Sequence, residues 1–194
     1  MNRAGGWRLE AGGVGAVIVA GGRGSRFGSP LKCLPVLPRL VRELRAAGVG
    51  RIVIAGDHDG LALEGCLYAR DAIPASGPLG GIVGGLTELH GCTTAVIIAG
   101  DMHRLRARDL RRLIGTWRRL DRAVQVRHGG QAALLGVLPA ALWPLAHEQL
   151  TRRRLGVHRL WRAARARPVW FPADLLADLD RPGDLLKFRA TRSH

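Results

Sequence analysis

The sequence predicts an α/β fold in which a doubly wound, mostly parallel sheet is covered by helices on both faces. Short apolar runs, such as residues 14–19 and 95–99, alternate along the chain with segments of helical spacing. These runs are apolar at every position, which is typical of strands that a parallel sheet buries on both faces. A length of 194 residues suits one domain. We assign it to residues 14–194, after a loose N-terminal tail of residues 1–13.

Strands and helices are predicted in alternation from the first apolar run onward. The predicted strands are residues 14–19, 51–55, a weak one near 67–72, 95–99, 123–126, 132–137 and 169–171. The predicted helices are residues 40–47, 77–89, 106–119, 139–150, 157–165 and a last one that begins near 182. Residues 58–72 are ambiguous, and we interpret them as a short helix followed by the weak strand near 67–72. A parallel sheet binds ligands beyond the carboxyl ends of its strands, so residues 20–32, 56–58 and 100–103 are the first places to examine.

A glycine-rich loop follows the first strand, from Ala20 to Lys32. Glycines let backbone N–H groups approach a phosphate closely, and the cations Arg26 and Lys32 could neutralise further phosphate charge. The spacing of the glycines matches neither a P-loop nor GxGxxG. A flexible turn is the alternative interpretation, but a lysine in this arginine-rich chain favours a role for a compact point charge.

Two aspartates and one helix start are further candidates. Asp101 follows the apolar strand 95–99, where a carboxylate can hold Mg²⁺ against substrate phosphates, or simply cap a turn. Asp71 could accept two hydrogen bonds from a nucleotide base, or could be a surface loop acid. The start of the helix at Gly77-Pro78-Leu79 could present backbone N–H groups to an anion, or could serve close helix packing. His103 is close to Asp101 in sequence, and we interpret it as a bystander.

The composition excludes several classes of protein. Hydrophobic residues make up 47% and charged residues 23% of the chain, which excludes general disorder. No apolar stretch approaches the ~20 residues of a membrane-spanning helix, so we expect no membrane partner. The three cysteines lack CxxC spacing and fit neither a disulfide framework nor a zinc ribbon. Such cysteine usage indicates a reducing, cytoplasmic location.

The net charge of +15 has two interpretations. Arginine supplies nearly all of the 30 basic residues, because only Lys32 and Lys187 are lysine. The arginines spread over several predicted helices without alternating aromatics, which favours a solvated surface and a composition bias over a nucleic-acid interface. A polyanion-binding surface stays an alternative. A positive field would also attract a phosphorylated small molecule.

Four separate motifs occur in the order found in one family of enzymes. They are Ala20-Gly21-Gly22 with Arg26-Phe27-Gly28 and Lys32, then Gly77-Pro78-Leu79-Gly80-Gly81, then Gly100-Asp101-Met102, and finally Asp178-Leu179-Asp180-Arg181-Pro182-Gly183-Asp184-Leu185. Together they resemble the MobA-like nucleotidyltransferases, most of all the molybdenum cofactor guanylyltransferases. The resemblance covers about residues 14–188 and implies a Rossmann-like nucleotidyltransferase fold.

The resemblance also implies an activity: transfer of GMP from GTP to the phosphate of molybdopterin, with release of pyrophosphate and with Mg²⁺ as cofactor. By this resemblance, the nucleotide contacts Val19, Ala20, Gly21 and Gly22 of the first motif and Gly77, Pro78 and Leu79 of the second. The resemblance also implies that Arg26 and Lys32 bind the phosphates. It further implies that Asp71 recognises the guanine base and that Asp101 binds the metal. GTP and molybdopterin would be the substrates, and molybdopterin-handling proteins the partners. We expect a monomer or weak homo-oligomer that binds no nucleic acid.

The chain departs from the family pattern at several places. His103 stands where a proline is common, and Gly56 or Asp57 where an asparagine is expected after the second strand. The acceptor region, which usually carries a proline and an aromatic residue, is the plain segment 131–137. Three alternatives therefore stay open: a nucleotidyltransferase that uses CTP, one with a different phosphorylated acceptor, and a degenerate nucleotide- or polyanion-binding protein without catalysis.

Overall fold

The structure, a computed structural model, describes residues 13–20, 36–56, 62–128, 130–172 and 175. Its centre is a seven-stranded sheet in the order β3-β2-β1-β4-β6-β5-β7. The strands are β1 Val14–Val19, β2 Arg51–Ala55, β3 Cys66–Ala69, β4 Thr94–Ala99, β5 Val124–His128, β6 Gln131–Pro139 and β7 Arg167–Trp170. Only β6 runs antiparallel to its neighbours, so the other strands place their carboxyl ends at one edge of the sheet.

Five α-helices cover the two faces of the sheet within the described ranges. They are α1 Leu37–Ala46, α2 Pro78–Thr87, α3 Ala107–Leu120, α4 Trp143–Thr151 and α5 Val157–Ala163. One apolar cluster packs α1 and α3 against one face, and a second packs α2, α4 and α5 against the other. None of these helices is long and apolar enough to span a membrane.

Alternation along the central strands explains why both faces are covered. In β1, Ala16 and Ile18 belong to the cluster beneath α1 and α3, whereas Val17 and Val19 belong to the cluster beneath α2. All four side chains are buried. A strand that is apolar on both faces can bury both only between two helical layers, which is the arrangement that its continuous apolar run predicts.

The predicted fold class is confirmed, with local differences. The ambiguous segment holds β3 at Cys66–Ala69, shorter than the predicted strand, and no helix in its described part, residues 62–72. The helix predicted from residue 139 begins as a 3-10 turn at Ala140–Leu142. The last predicted helix and the N-terminal tail up to residue 12 lie outside the described residues.

Candidate active site

The carboxyl ends of β1 and β4 form the centre of the candidate site. The order of the strands reverses here, because the chain proceeds from β1 to β2 and β3 on one side and from β4 to β5 on the other. The backbone N–H of Gly100 donates to the carbonyl of Val19 at 2.9 Å, and that of Ala20 donates to Ala55 at 2.8 Å. These bonds fix the positions from which the glycine-rich loop departs.

Asp101 lies directly beyond the end of β4. It is only 9% exposed, and the next side chain, Met102, is buried in the core beneath α1 and α3. The backbone N–H of His103 donates to the carbonyl of Asp101 at 2.8 Å, so residues 101–103 form a tight turn. The predicted metal-binding carboxylate therefore lies on a hydrogen-bonded turn that is largely buried.

Asp71 lies at the same edge, against α2. Its Oδ1 would be 3.3 Å from a Cβ atom at Gly81, and Val19 Cγ1 would be 3.5 Å from that same atom. A glycine at position 81 therefore leaves room for the carboxylate beside the end of β1. The backbone N–H of Ala72 also donates to the carbonyl of Gly80 at 3.1 Å, which ties the segment carrying Asp71 to the first turns of α2.

The start of α2 has a mixed role. Gly77 has a φ of 66°, a conformation that favours glycine, and Pro78 occupies the first turn and has no N–H to offer. The backbone N–H of Gly80 donates to the carbonyl of Gly77 at 3.0 Å, and the Leu79 side chain is fully buried. Gly77 and Pro78 are exposed at this edge, so a nucleotide could contact them, but it could reach Leu79 only through the backbone.

The remaining predicted site residues lie outside the described residues. They are Gly21, Gly22, Arg26 and Lys32 of the glycine-rich loop. Asp57 and the last motif, residues 178–185, lie outside as well. Their roles stay predictions from the sequence.

The segment between the turn of residues 101–103 and α3 is anchored to α1 by two side chains that the sequence analysis missed. Arg39 donates from Nη2 to the carbonyl of Leu105 at 3.1 Å. Glu43 Oε2 accepts the backbone N–H of Ala107, the first residue of α3, at 2.7 Å. The residue before α3 is Arg106, whose side chain has no acceptor to cap the helix. Asp109 in the first turn of α3 accepts the backbone N–H of Arg106 at 3.0 Å, and Glu43 adds a second acceptor from α1. No local sequence signal points to Glu43, because it belongs to a distant helix.

We expect Glu43→Ala to lower the free energy of unfolding by about 1–2 kcal/mol, because it removes the acceptor for a helix N-terminal N–H. Glu43→Gln keeps an acceptor oxygen and should lose less than half as much. Thermal unfolding followed by circular dichroism measures both. Glu148→Ala is the matched control, since it removes an exposed i,i+4 ion pair with Arg152 that spans 2.9 Å. Equal losses in Glu43→Ala and Glu148→Ala would contradict the capping role.

Two cysteines among the described residues are partly buried and are unsuited to act as thiolate nucleophiles. Burial raises the pKa of the Cys66 thiol, although Arg45 partly opposes the effect. Burial likewise raises the pKa of the Cys92 thiol, opposed in part by Arg51. A raised pKa keeps a thiol protonated near neutral pH, so neither residue is a prepared nucleophile.

The donor set at the site fits a metal ion that is shared with a substrate. Within the described ranges, no three His, Cys, Asp or Glu side chains come together to form a metal site from protein groups alone. A single carboxylate such as Asp101 suits Mg²⁺, which keeps several waters and takes further oxygens from substrate phosphates.

Comparisons with known proteins agree on the fold and on the family. A family profile described as "MobA-like NTP transferase domain" matches residues 16–181. A molybdenum cofactor guanylyltransferase from Xanthomonas euvesicatoria pv. vesicatoria (strain 85-10) is 33% identical over 103 residues, which are 50% of this chain and 52% of that protein. The match thus spans about half the length of the curated relative.

Solved structures share the fold at low sequence identity. Molybdopterin-guanine dinucleotide biosynthesis protein A from Archaeoglobus fulgidus superposes with a TM-score of 0.70 at 15% identity, covering 92% of this chain and 98% of that one. Rv0371c from Mycobacterium tuberculosis H37Rv, in complex with manganese, gives 0.67 at 20% identity, covering 92% and 98%. CMP:2-keto-3-deoxy-manno-octonic acid synthetase complexed with CTP gives 0.66 at 14%, covering 93% and 98%. Because the family profile covers most of its length, the chain belongs to the MobA-like NTP transferase family.

Proposed function

We propose that the protein transfers GMP from GTP to the phosphate of molybdopterin and releases pyrophosphate. The observation that carries the proposal is the placement of two carboxylates, Asp71 and Asp101, at one edge of the sheet on either side of the end of β1. One suits a base that presents hydrogen-bond donors, and the other suits a metal on the phosphates. The name of the curated relative supports guanine and molybdopterin as the substrates.

In this proposal the base of GTP lies against α2, where Asp71 accepts hydrogen bonds from the ring N–H and the exocyclic amine of guanine. The ribose and the α-phosphate pass over the end of β1 toward Asp101. Gly21 and Gly22 offer backbone N–H groups to the phosphates, and Arg26 and Lys32 pair with their charge. The roles of these four residues are inferred from the sequence motif in which they occur.

The reaction is an in-line displacement. An oxygen of the acceptor phosphate forms a bond to the α-phosphorus of GTP, and the bond from that phosphorus to the bridging oxygen breaks. Pyrophosphate leaves with the electron pair. The acceptor phosphate is already anionic near neutral pH, so the chain needs no strong general base; its residues position the two phosphates and stabilise the developing charge. When bound at Asp101, Mg²⁺ supplies positive charge to the phosphates.

The deciding experiment has two stages. Equilibrium binding of GTP, CTP, ATP and UTP is measured with and without Mg²⁺ at two salt concentrations, and pyrophosphate release is then followed with molybdopterin as acceptor. We expect the protein to select GTP in a Mg²⁺-dependent manner and to release pyrophosphate only when molybdopterin is present. Equal, salt-sensitive binding of all four nucleotides would indicate polyanion binding through the arginines and would overturn it.

A cytidylyltransferase is the second candidate, because one structural relative is complexed with CTP. Selection of CTP over GTP in the same binding experiment would favour it. The displacement at the α-phosphorus and the role of Asp101 would be the same, so the two candidates differ only in what Asp71 and its neighbours recognise.

We expect Asp71→Asn to weaken GTP binding by about tenfold, because the amide replaces one acceptor oxygen with a donor that opposes a donor of guanine. ITP is the informative ligand, since it differs from GTP only by lacking the exocyclic amine. The original protein should prefer GTP, whereas the variant should bind both alike. Isothermal titration calorimetry gives the two affinities.

The control for this prediction is Asp121→Asn. Asp121 ends α3 in the left-handed conformation, which asparagine also tolerates, so the change alters charge equally without touching the site. Retention of the GTP preference over ITP in Asp71→Asn would contradict the role of Asp71 in base recognition.

A further inference from the structure

A row of residues crosses the carboxyl edge of the sheet from β4 to β7. The register pairs Trp170 of β7 with Arg127 of β5, and Arg127 with Ala132 of β6. Between β6 and β4 the register pairs Leu135 with Ile98. The ladder between these two strands ends at that pair, and Asp101 follows three residues beyond Ile98, on the turn at the same edge of the sheet. In the order of the strands, the edge therefore carries Asp101 after β4, Ala132 on β6, Arg127 on β5 and Trp170 on β7.

The side chains at the far end of the row face the helical layer that contains α2. On β5, Val124 and Val126 point into the cluster beneath α1 and α3, so Arg127 points to the opposite face. On β7, Val169 and Phe171 pack on that same cluster, so Trp170 also points to the opposite face. This is the face on which Gly81 of α2 leaves room for Asp71, where the base of the nucleotide would lie.

Trp170 is exposed to a degree that is unusual for a tryptophan. Its exposed fraction is 58%, whereas Trp161 on the same helical face is buried at 2%. Arg127 beside it is only partly exposed, and its Nη2 donates to the carbonyl of Gly130, which orients the guanidinium. Ala132, between Arg127 and Asp101, is exposed and carries only a methyl group. The edge therefore offers an aromatic surface and an oriented cation, with the small side chain of Ala132 between these groups and the strand that precedes Asp101.

We propose that Trp170 and Arg127 form the subsite that binds the ring end of the acceptor. The inference rests on the proposed function and deepens it. The ring stacks on the indole of Trp170, and the guanidinium of Arg127 pairs with oxygens of the acceptor between ring and phosphate. The phosphate then reaches the α-phosphorus beside Asp101.

The spacing of the strands places the two groups at increasing distances from the reaction centre. Neighbouring strands lie ~4.8 Å apart, so β5 is roughly 10 Å and β7 roughly 14 Å from β4. The side chains of Arg127 and Trp170 leave these strands on the face that contains α2, so an acceptor that touches both must extend from β7 toward β4 above that face. Molybdopterin, the acceptor of the proposed function, joins a pterin ring to a phosphate and so has both of the groups that this arrangement would bind.

Steady-state kinetics with GTP and molybdopterin tests the subsite. We expect Trp170→Leu to raise the KM for molybdopterin about tenfold with the KM for GTP unchanged, because stacking is lost while apolar bulk is kept. Trp170→Phe should retain most of the affinity. Arg127→Lys keeps the charge but loses the planar fork, and should raise the same KM severalfold.

Two control variants remove similar groups elsewhere. Arg167→Ala deletes an exposed arginine at the opposite end of β7, and Leu120→Ala deletes an apolar side chain that is 43% exposed on α3. Neither should change the KM for molybdopterin. Thermal unfolding of every variant verifies that the fold is retained. An unchanged KM for molybdopterin in Trp170→Leu, or an equal rise in Arg167→Ala, would overturn the subsite and leave the proposed function standing.

A binding measurement makes failure of the subsite distinguishable from failure of the proposed function. The probe is dihydroneopterin monophosphate, a pterin with a phosphorylated side chain, titrated while tryptophan fluorescence is recorded. Quenching that is strong in the original protein and lost in Trp170→Leu supports the subsite even if no GMP is transferred to molybdopterin. Equal quenching in both, or none in the original protein, overturns the subsite whether or not transfer occurs.

Discussion

Replacing Asp101 with asparagine is expected to lower kcat by about 10²-fold or more, the usual cost of losing one preorganised charge contact in a transition state. Asparagine has nearly the same shape, so the turn of residues 101–103 should persist. The change removes only the negative charge that would hold a divalent metal against the phosphates. Asp101 is only 9% exposed, so water cannot readily replace the lost carboxylate.

The measurement for Asp101 is pyrophosphate release as a function of Mg²⁺ and of Mn²⁺ concentration. The variant should need far more of either metal, and Mn²⁺ should restore more activity than Mg²⁺ because it accepts nitrogen and neutral oxygen ligands more readily. Asp121→Asn, the same chemical change at the end of α3, should behave as the original protein. Near-normal kcat and metal dependence in Asp101→Asn would remove Asp101 from the metal site.

The fold could be predicted from the sequence because the residue pattern of each central strand shows that the strand is buried on both faces. Residues 14–19 and 95–99 are apolar at every position, and only a strand between two helical layers needs that pattern. The direction of β6 could not be read in the same way. Its segment is also apolar, and the antiparallel pairing of Ile97 with Gly136 depends on a short connection back from β5 and on tertiary packing.

The candidate site likewise contains residues whose positions could be predicted from the sequence and residues for which this was not possible. The position of Asp101 was predictable because it follows, two residues later, a strand whose end could be recognised in the sequence, whereas its role stays a prediction. The contribution of Glu43 was not predictable, because Glu43 and Ala107 are 64 residues apart and only the packing of α1 on α3 brings them together. The proposed role of Trp170 could not be predicted either, since it rests on the exposure of the side chain and on its register with Arg127 rather than on any motif.

Gly84→Ala is expected to destabilise the protein by about 2–3 kcal/mol, the usual cost of inserting an atom into a well-packed interior. An added Cβ would lie 2.1 Å from the carbonyl oxygen of Arg70 and 3.3 Å from the backbone nitrogen of Ala72. Because both of these atoms belong to the backbone, rotation of a side chain cannot relieve the steric clash. The segment that carries Asp71 must shift instead, so GTP binding should weaken as well.

Gly115→Ala is the control, because it makes the same substitution inside α3, where an added Cβ would meet nothing within 4 Å. Relief of the conformational freedom of glycine should make that variant more stable by about 0.5–1 kcal/mol. The two substitutions should therefore shift the Tm in opposite directions, and Gly84→Ala should lower the Tm by about 5–10 °C. If Gly84→Ala were as stable as Gly115→Ala, α2 could not lie as close to residues 70–72 as the structure places it, and the position of Asp71 beside the end of β1 would have to be revised.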